Sequence, residues 1–124
     1  MDISGKVWGT TQHIFSSSNV EIHRITIDYM GFCSKHLHNH KCNIFYVESG
    51  KIKIKVWKKA YALCDETILS AGQKMTVPPG EFHMFEALQD SVAYEIYYMK
   101  PICSGDIERE MCGGKPAQPT KMPN

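Results

Sequence analysis

Long apolar runs are missing from this chain. None of its 124 residues lies in anything near the roughly 18 consecutive apolar residues that a membrane-spanning helix needs. The opening MDISGKVWGT also lacks the apolar stretch of a signal peptide, so a cytoplasmic protein with no membrane partner is expected. A dominant charge is absent too. The 14 Lys and Arg residues stand against 13 Asp and Glu, for a net charge of +1, which leaves no basic stripe of the kind that binds nucleic acid. The five cysteines, Cys33, Cys42, Cys64, Cys103 and Cys112, form an odd, irregular set without a CxxC pair, so free thiols are expected rather than a disulfide framework. No segment carries a sustained helical apolar stripe, and no repeat or composition shift marks a second domain. With 43% hydrophobic and 22% charged residues, one globular domain over residues 1–112 with its own core is expected. The Gly- and Pro-rich end, 113–124, reads as a loose tail.

What is present is a series of short β-rich runs from Val20 onward. KIKIKVW alternates cleanly, with Ile52, Ile54 and Val56 on one face and Lys51, Lys53 and Lys55 on the other, the period-two signature of a half-buried strand. Its lysines would suit an edge. VEIHRITIDYM also alternates, but neither face is cleanly apolar: one carries Glu21 and His23 beside Ile25 and Ile27, which predicts a strand that is bent or covered on both sides. Turns are predicted at Ser49-Gly50, Ser70-Ala71-Gly72, Pro78-Pro79-Gly80 and Gln89-Asp90, at the spacing of a sandwich or barrel. The fold class is therefore all-β, in two facing sheets or a closed barrel.

Three of the six histidines fall in the run CSKHLHNHKCNIFYVESG. On a strand, residues i and i+2 share a face, so His36 and His38 can aim two imidazoles at one point. A neutral imidazole carries a lone pair at physiological pH. Two ligands so close cover only one side of an ion, and a third must come from elsewhere. His83 supplies it, just after the sharp turn Pro78-Pro79-Gly80. Cys42 lies close by, either a soft ligand or a small buried thiol. His13 and His23 belong to no motif and are assigned no role.

These two segments resemble the motifs of the cupin superfamily, G-x5-H-x-H-x3,4-E-x6-G and G-x5-P-x-G-x2-H-x3-N. His36-Leu37-His38, four residues, Asn43, six residues and Gly50 follow the first; Gly72, five residues, Pro78, one residue, Gly80, two residues and His83 follow the second. The likeness covers about residues 20–100 and implies a double-stranded β-helix of jelly-roll type. It also implies a divalent metal ion (iron, manganese, zinc or nickel) held by His36, His38 and His83, with Asn43 where the family has its glutamate ligand. Asn43 is then either a neutral ligand or a hydrogen-bonding neighbour of one. Ala87 replaces the closing asparagine of the second motif. A second register pairs His38 with His40, as in the mannose-6-phosphate isomerase branch. The ungapped alignment to the sugar-isomerase-like form S-L-H-x-H-K-x-K-x-E-x-F-Y-V-L-x-G keeps His36 and His38 as ligands and leaves His40 in a turn.

If Asn43 and His83 face inward, alternation brings Phe45, Val47 and Phe85 inward as well, as a pocket wall or as plain core. Glu95-Ile96, Asp106-Ile107-Glu108-Arg109 and Lys6-Val7-Trp8-Gly9 are short patches similar to sugar isomerase and epimerase cupins. An inward Glu95 would serve as the proton-moving base of an isomerase; an outward one would simply face water. The resemblance thus implies a metal-dependent enzyme acting on a sugar or sugar phosphate. An Fe(II) dioxygenase and a non-catalytic module that binds or senses a small ligand are the alternatives, and a homodimer is the expected assembly.

Overall fold

The computed structural model describes residues 3–99 and 106–116; Cys103 and the tail beyond residue 116 lie outside them. Nine strands follow in order: β1 (Ile3–Lys6), β2 (Gly9–Ser16), β3 (Val20–Ile27), β4 (Cys42–Ser49), β5 (Lys51–Trp57), β6 (Cys64–Ser70), β7 (Lys74–Val77), β8 (Phe82–Ala87) and β9 (Ser91–Tyr98). The described residues contain no helix, and so none long and apolar enough to cross a membrane. The strands form two antiparallel sheets, one of six in the order β1-β2-β3-β9-β4-β7 and one of three in the order β6-β5-β8. The predicted turns join β4 to β5, β6 to β7, β7 to β8 and β8 to β9.

Two expectations change. The lysine-bearing β5 is the centre of the smaller sheet, flanked by β6 and β8, and not an edge. Its lysines lie over neighbouring strands, with Lys53 3.7 Å from Glu66 and Lys55 3.8 Å from Glu86, so cross-strand ion pairs carry the outer face. The β1–β2 hairpin, ahead of Val20, extends the larger sheet through an unbroken register from Gly9↔Ile27 to His13↔His23.

The mixed face of β3 has a simple cause, since its inward-facing positions are apolar at Ile25 and Ile27 and polar at His23. Ile25 and Ile27 on β3, Val47 and Phe45 on β4, Ala87 and Phe85 on β8, and Ala93 on β9 are all buried in a common core with Ile52 and Ile54 of β5. Further along the same faces come His23, Asn43, His83 and Glu95. On β3 and β9 the polar residues pair with each other, His23 with Glu95, one step beyond Ile25 and Ala93. Elsewhere they face apolar partners, Glu95 opposite Phe45, Asn43 opposite Val77 and His83 opposite Val56, so the polar groups are set against the hydrophobic core.

Gly50 turns the chain between β4 and β5. Its φ is +87°, and an added Cβ would run into Ser91 Oγ and the Asp90 carbonyl. Gly72 has a similar φ, +84°, with nothing within 4 Å. Gly72→Ala should lose about 1–3 kcal/mol of unfolding free energy through backbone strain alone. Gly50→Ala should lose more, because overpacking adds about 1–3 kcal/mol. Urea unfolding of the two variants checks the order.

Candidate metal centre

Residues 30–38 run beside β8 as an irregular continuation of the smaller sheet. The Met30 and Cys33 amides donate to the carbonyls of Ala87 and Phe85, and His36 and His83 exchange backbone bonds of 3.1 and 2.8 Å. Phe32 bridges Glu86 and His36 bridges His83. The segment advances four residues between those bridges while β8 advances three, so one residue is extra. This bulge interrupts pairing and corrects the expectation that His36 and His38 lie on a regular strand; His36 forms an isolated bridge instead. The Gly80 amide donates to the His38 carbonyl at 2.7 Å, tying this segment to the β7–β8 turn.

The three histidines come together as expected. Their rings stand 4.6 to 5.3 Å apart centre to centre, and each can offer a nitrogen within 4.8 Å of the other two. Two tautomers follow from neighbouring carbonyls, which only accept. His36 Nδ1 donates to Ser34 O at 2.8 Å and His83 Nδ1 to Glu81 O at 3.1 Å, so both keep a lone pair on Nε2. Glu81 is itself anchored: Lys58 Nζ donates to it at 2.8 Å and the Lys59 amide at 3.1 Å. The nearby Lys58 ammonium holds its carboxyl below the usual range. Sequence patterns gave no hint of this strut, because the lysines lie 22 and 23 residues away along the chain.

His38 Nε2, His83 Nε2 and Asn43 Oδ1 are buried without a hydrogen-bond partner. Such unpartnered buried polar atoms are uncommon in folded proteins, and all three belong to residues of the expected ligand set. Burial keeps the imidazoles neutral: it lowers the His38 pKa to about 4, with help from His36 and His83, and lowers that of His83 as well. A pocket of neutral imidazoles plus an amide oxygen fits a borderline transition-metal ion.

Asn43 is completely buried. Its Nδ2 donates to Glu95 Oε2 at 3.3 Å, and Tyr97 Oη donates to the same oxygen. Glu95 is only 9% exposed, which settles its orientation as inward. Burial and the adjacent Glu95 charge push the Tyr97 hydroxyl well above the usual tyrosine range, so it stays a donor. Beside this group lies a cavity of about 760 Å³ lined by Trp8, Cys33, His36, Phe85, Glu95 and Tyr97 among others. A smaller space of about 300 Å³ shares Lys6, Trp8, Glu95 and Tyr97 and adds Thr11, Glu21, His23 and Lys41.

Of the expected pocket residues, Phe85 lines the larger cavity. Phe45 and Val47 face inward but pack in the hydrophobic core. His40 is exposed in a bend, Cys42 is half-buried, and the Asp106–Arg109 patch is exposed; none joins the cluster. Tyr97, Cys33 and His23 are among the cavity residues that pattern reading missed. Inward alternation from Glu95 along β9 would have pointed to Tyr97. Trp8, in one of the short patches, packs edge-on to Phe85 at 5.0 Å.

No family model and no curated protein matches the sequence. Solved structures do match the fold. KdgF from a Halomonas species aligns with a TM-score of 0.70 at 16% identity, over 82% of this chain and 88% of its own. An RmlC-like cupin from Shewanella frigidimarina aligns at 0.65 and 19% identity, over 80% and 84%. A Bacillus subtilis oxalate decarboxylase aligns at 0.70 and 13% identity, over 79% of this chain and 27% of its own. The chain has the cupin fold, an all-β jelly roll whose structural neighbours are cupins.

Half-buried His38 and buried His83 set a pH dependence. The unfolded chain protonates them near the ordinary value of about 6.5, whereas folded His38 stays neutral to about 4. Between those values the unfolded state binds more protons, so stability falls as pH falls. With metal chelated, urea unfolding should give a lower free energy at about pH 5 than at pH 7, and equal values would contradict the burial of these rings.

Proposed function

We propose that this chain is a divalent-metal-binding cupin enzyme acting on a small polar metabolite of the sugar or sugar-phosphate class, with isomerase or epimerase chemistry. The observation that carries this reading is the pairing of a three-imidazole cluster with a buried carboxylate beside one cavity. His36, His38, His83 and Asn43 would hold an iron, manganese, zinc or nickel ion. Bound there, such an ion supplies a Lewis acid for a substrate carbonyl or hydroxyl oxygen.

Glu95 would serve as the proton carrier. Oε2 is taken by Asn43 and Tyr97, which fixes the plane of the carboxylate. Oε1 has no hydrogen-bond partner among the described residues, and the side chain lines both parts of the cavity. Oε1 would accept a proton from the carbon beside the substrate carbonyl and return it to the neighbouring atom or the opposite face. Trp8 offers an indole face for a sugar ring, and Lys6, which lines both spaces, a cation for an anionic substituent. Alignment with the sugar-isomerase-like motif supports the same substrate class.

Two observations favour other readings. The neutral Asn43 in place of a carboxylate suits a module that only holds or senses a ligand, and a three-histidine set suits Fe(II) oxygenase chemistry. The same proposal takes the chain as a single-domain cytoplasmic homodimer. Exposed Ile14 and Phe15 on β2 offer apolar area for pairing, and sedimentation as a monomer would remove it.

Glu95→Gln, assayed at metal concentrations that keep the site loaded, should lower kcat/KM on a converted sugar phosphate by about 10²–10⁴-fold. A loaded wild-type protein that converts no member of a sugar and sugar-phosphate panel would overturn the isomerase reading.

A further inference from the structure

Asn43 stands where the resemblance calls for a glutamate, and the exchange is accompanied by a second feature that the motif does not contain. A carboxylate can only accept a hydrogen bond. The Asn43 amide therefore has to present Nδ2 to Glu95 Oε2, at 3.3 Å, because the flipped amide would set two acceptors against each other. Its carbonyl oxygen is thereby turned away from Glu95, and it is buried with no donor. Asn43 sits on the wall that touches the histidines. Its cross-strand neighbour Tyr97 packs its ring 5.1 Å from that of His38, and Phe45, the next inward residue of β4, lies 6.2 Å from His83.

We infer that the negative charge of the missing ligand has been moved one hydrogen bond outward, onto Glu95. Its carboxylate locks the Asn43 amide with Oδ1 toward the histidine cluster and supplies the charge that a neutral donor set lacks. The inference rests on the metal-binding reading above and makes Glu95 a positioning residue for the metal as well as the proposed base. Hydrogen bonding to a carboxylate raises the electron density of the amide oxygen, as a carboxylate does for a ligating imidazole. The bond is shielded from water, where such coupling is strong. Tyr97 Oη donates to the same carboxylate and keeps it aimed at Asn43.

The test is metal affinity, measured by competition with a chromophoric chelator using zinc and manganese on the untagged protein. Glu95→Gln retains an acceptor for Asn43 Nδ2 and removes only the charge; it should weaken binding about 10–100-fold. The charge-swapped double variant Asn43→Asp/Glu95→Gln places the carboxylate directly in the donor set, with the new amide at position 95 able to donate to it, and should regain wild-type affinity or exceed it. Thermal unfolding of the metal-free variants checks that both are folded. His38→Ala, which removes one imidazole, serves as the reference for the site itself. If His38→Ala loses metal while Glu95→Gln binds like wild type, the charge relay is wrong and the histidine site stands. If Glu95→Gln weakens binding but the swap fails to restore it in folded protein, the charge of Glu95 does not act through the residue at position 43 and the relay is also wrong. A wild-type protein that binds neither of these ions, nor iron or nickel, overturns both the relay and the metal reading.

Discussion

Burying an acceptor without a donor is costly, about 1–3 kcal/mol for each group left unsatisfied. Three buried polar atoms have no hydrogen-bond partner among the described residues, His38 Nε2, His83 Nε2 and Asn43 Oδ1. The surrounding structure is arranged to hold them there. The Glu81 carbonyl fixes His83 through Nδ1, the Ser34 carbonyl fixes the neighbouring His36, and the lysine anchors on Glu81 hold the turn that carries the first of those carbonyls. Glu95 fixes the amide. A cation held by these residues would satisfy the lone pairs they offer, so the penalty in the metal-free fold would become affinity in the loaded one.

That arrangement needs a rigid frame, and the hydrophobic core provides it. Ile25, Val47, Ile54, Phe85 and Ala93 pack together there. Because inward positions recur every second residue, His23, Asn43, His83 and Glu95 inherit their direction from the apolar residues that precede or follow them on the same strands. Slipping any one strand by a residue would turn its functional side chain outward and its core residue with it. Packing and chemistry are coupled through strand register.

Much of this was legible in the sequence. The alternation in β5, the turn residues and the two histidine segments were enough for an all-β barrel with His36, His38 and His83 converging. Two things were hidden by the same cause, dependence on distant neighbours. The lysines of β5 read as edge protection because Glu66 and Glu86, their cross-strand partners, lie on other strands. Glu95 was ambiguous between base and surface residue because Asn43, one of its two hydrogen-bond donors, becomes its neighbour only once β4 and β9 pair. The one-residue bulge beside β8 was likewise invisible, since it exists only relative to the strand it pairs with.

The central claim is that the histidine cluster holds a metal ion, and metal content tests it most directly. Untagged wild-type protein and His83→Ala would be purified in parallel, reconstituted anaerobically with iron, manganese, nickel or zinc, and analysed by mass spectrometry. Near-stoichiometric metal in the wild type, lost in a folded His83→Ala, is the predicted result. No metal in the wild type with any of the four ions would contradict the account and leave the buried imidazoles as part of a ligand pocket without an ion.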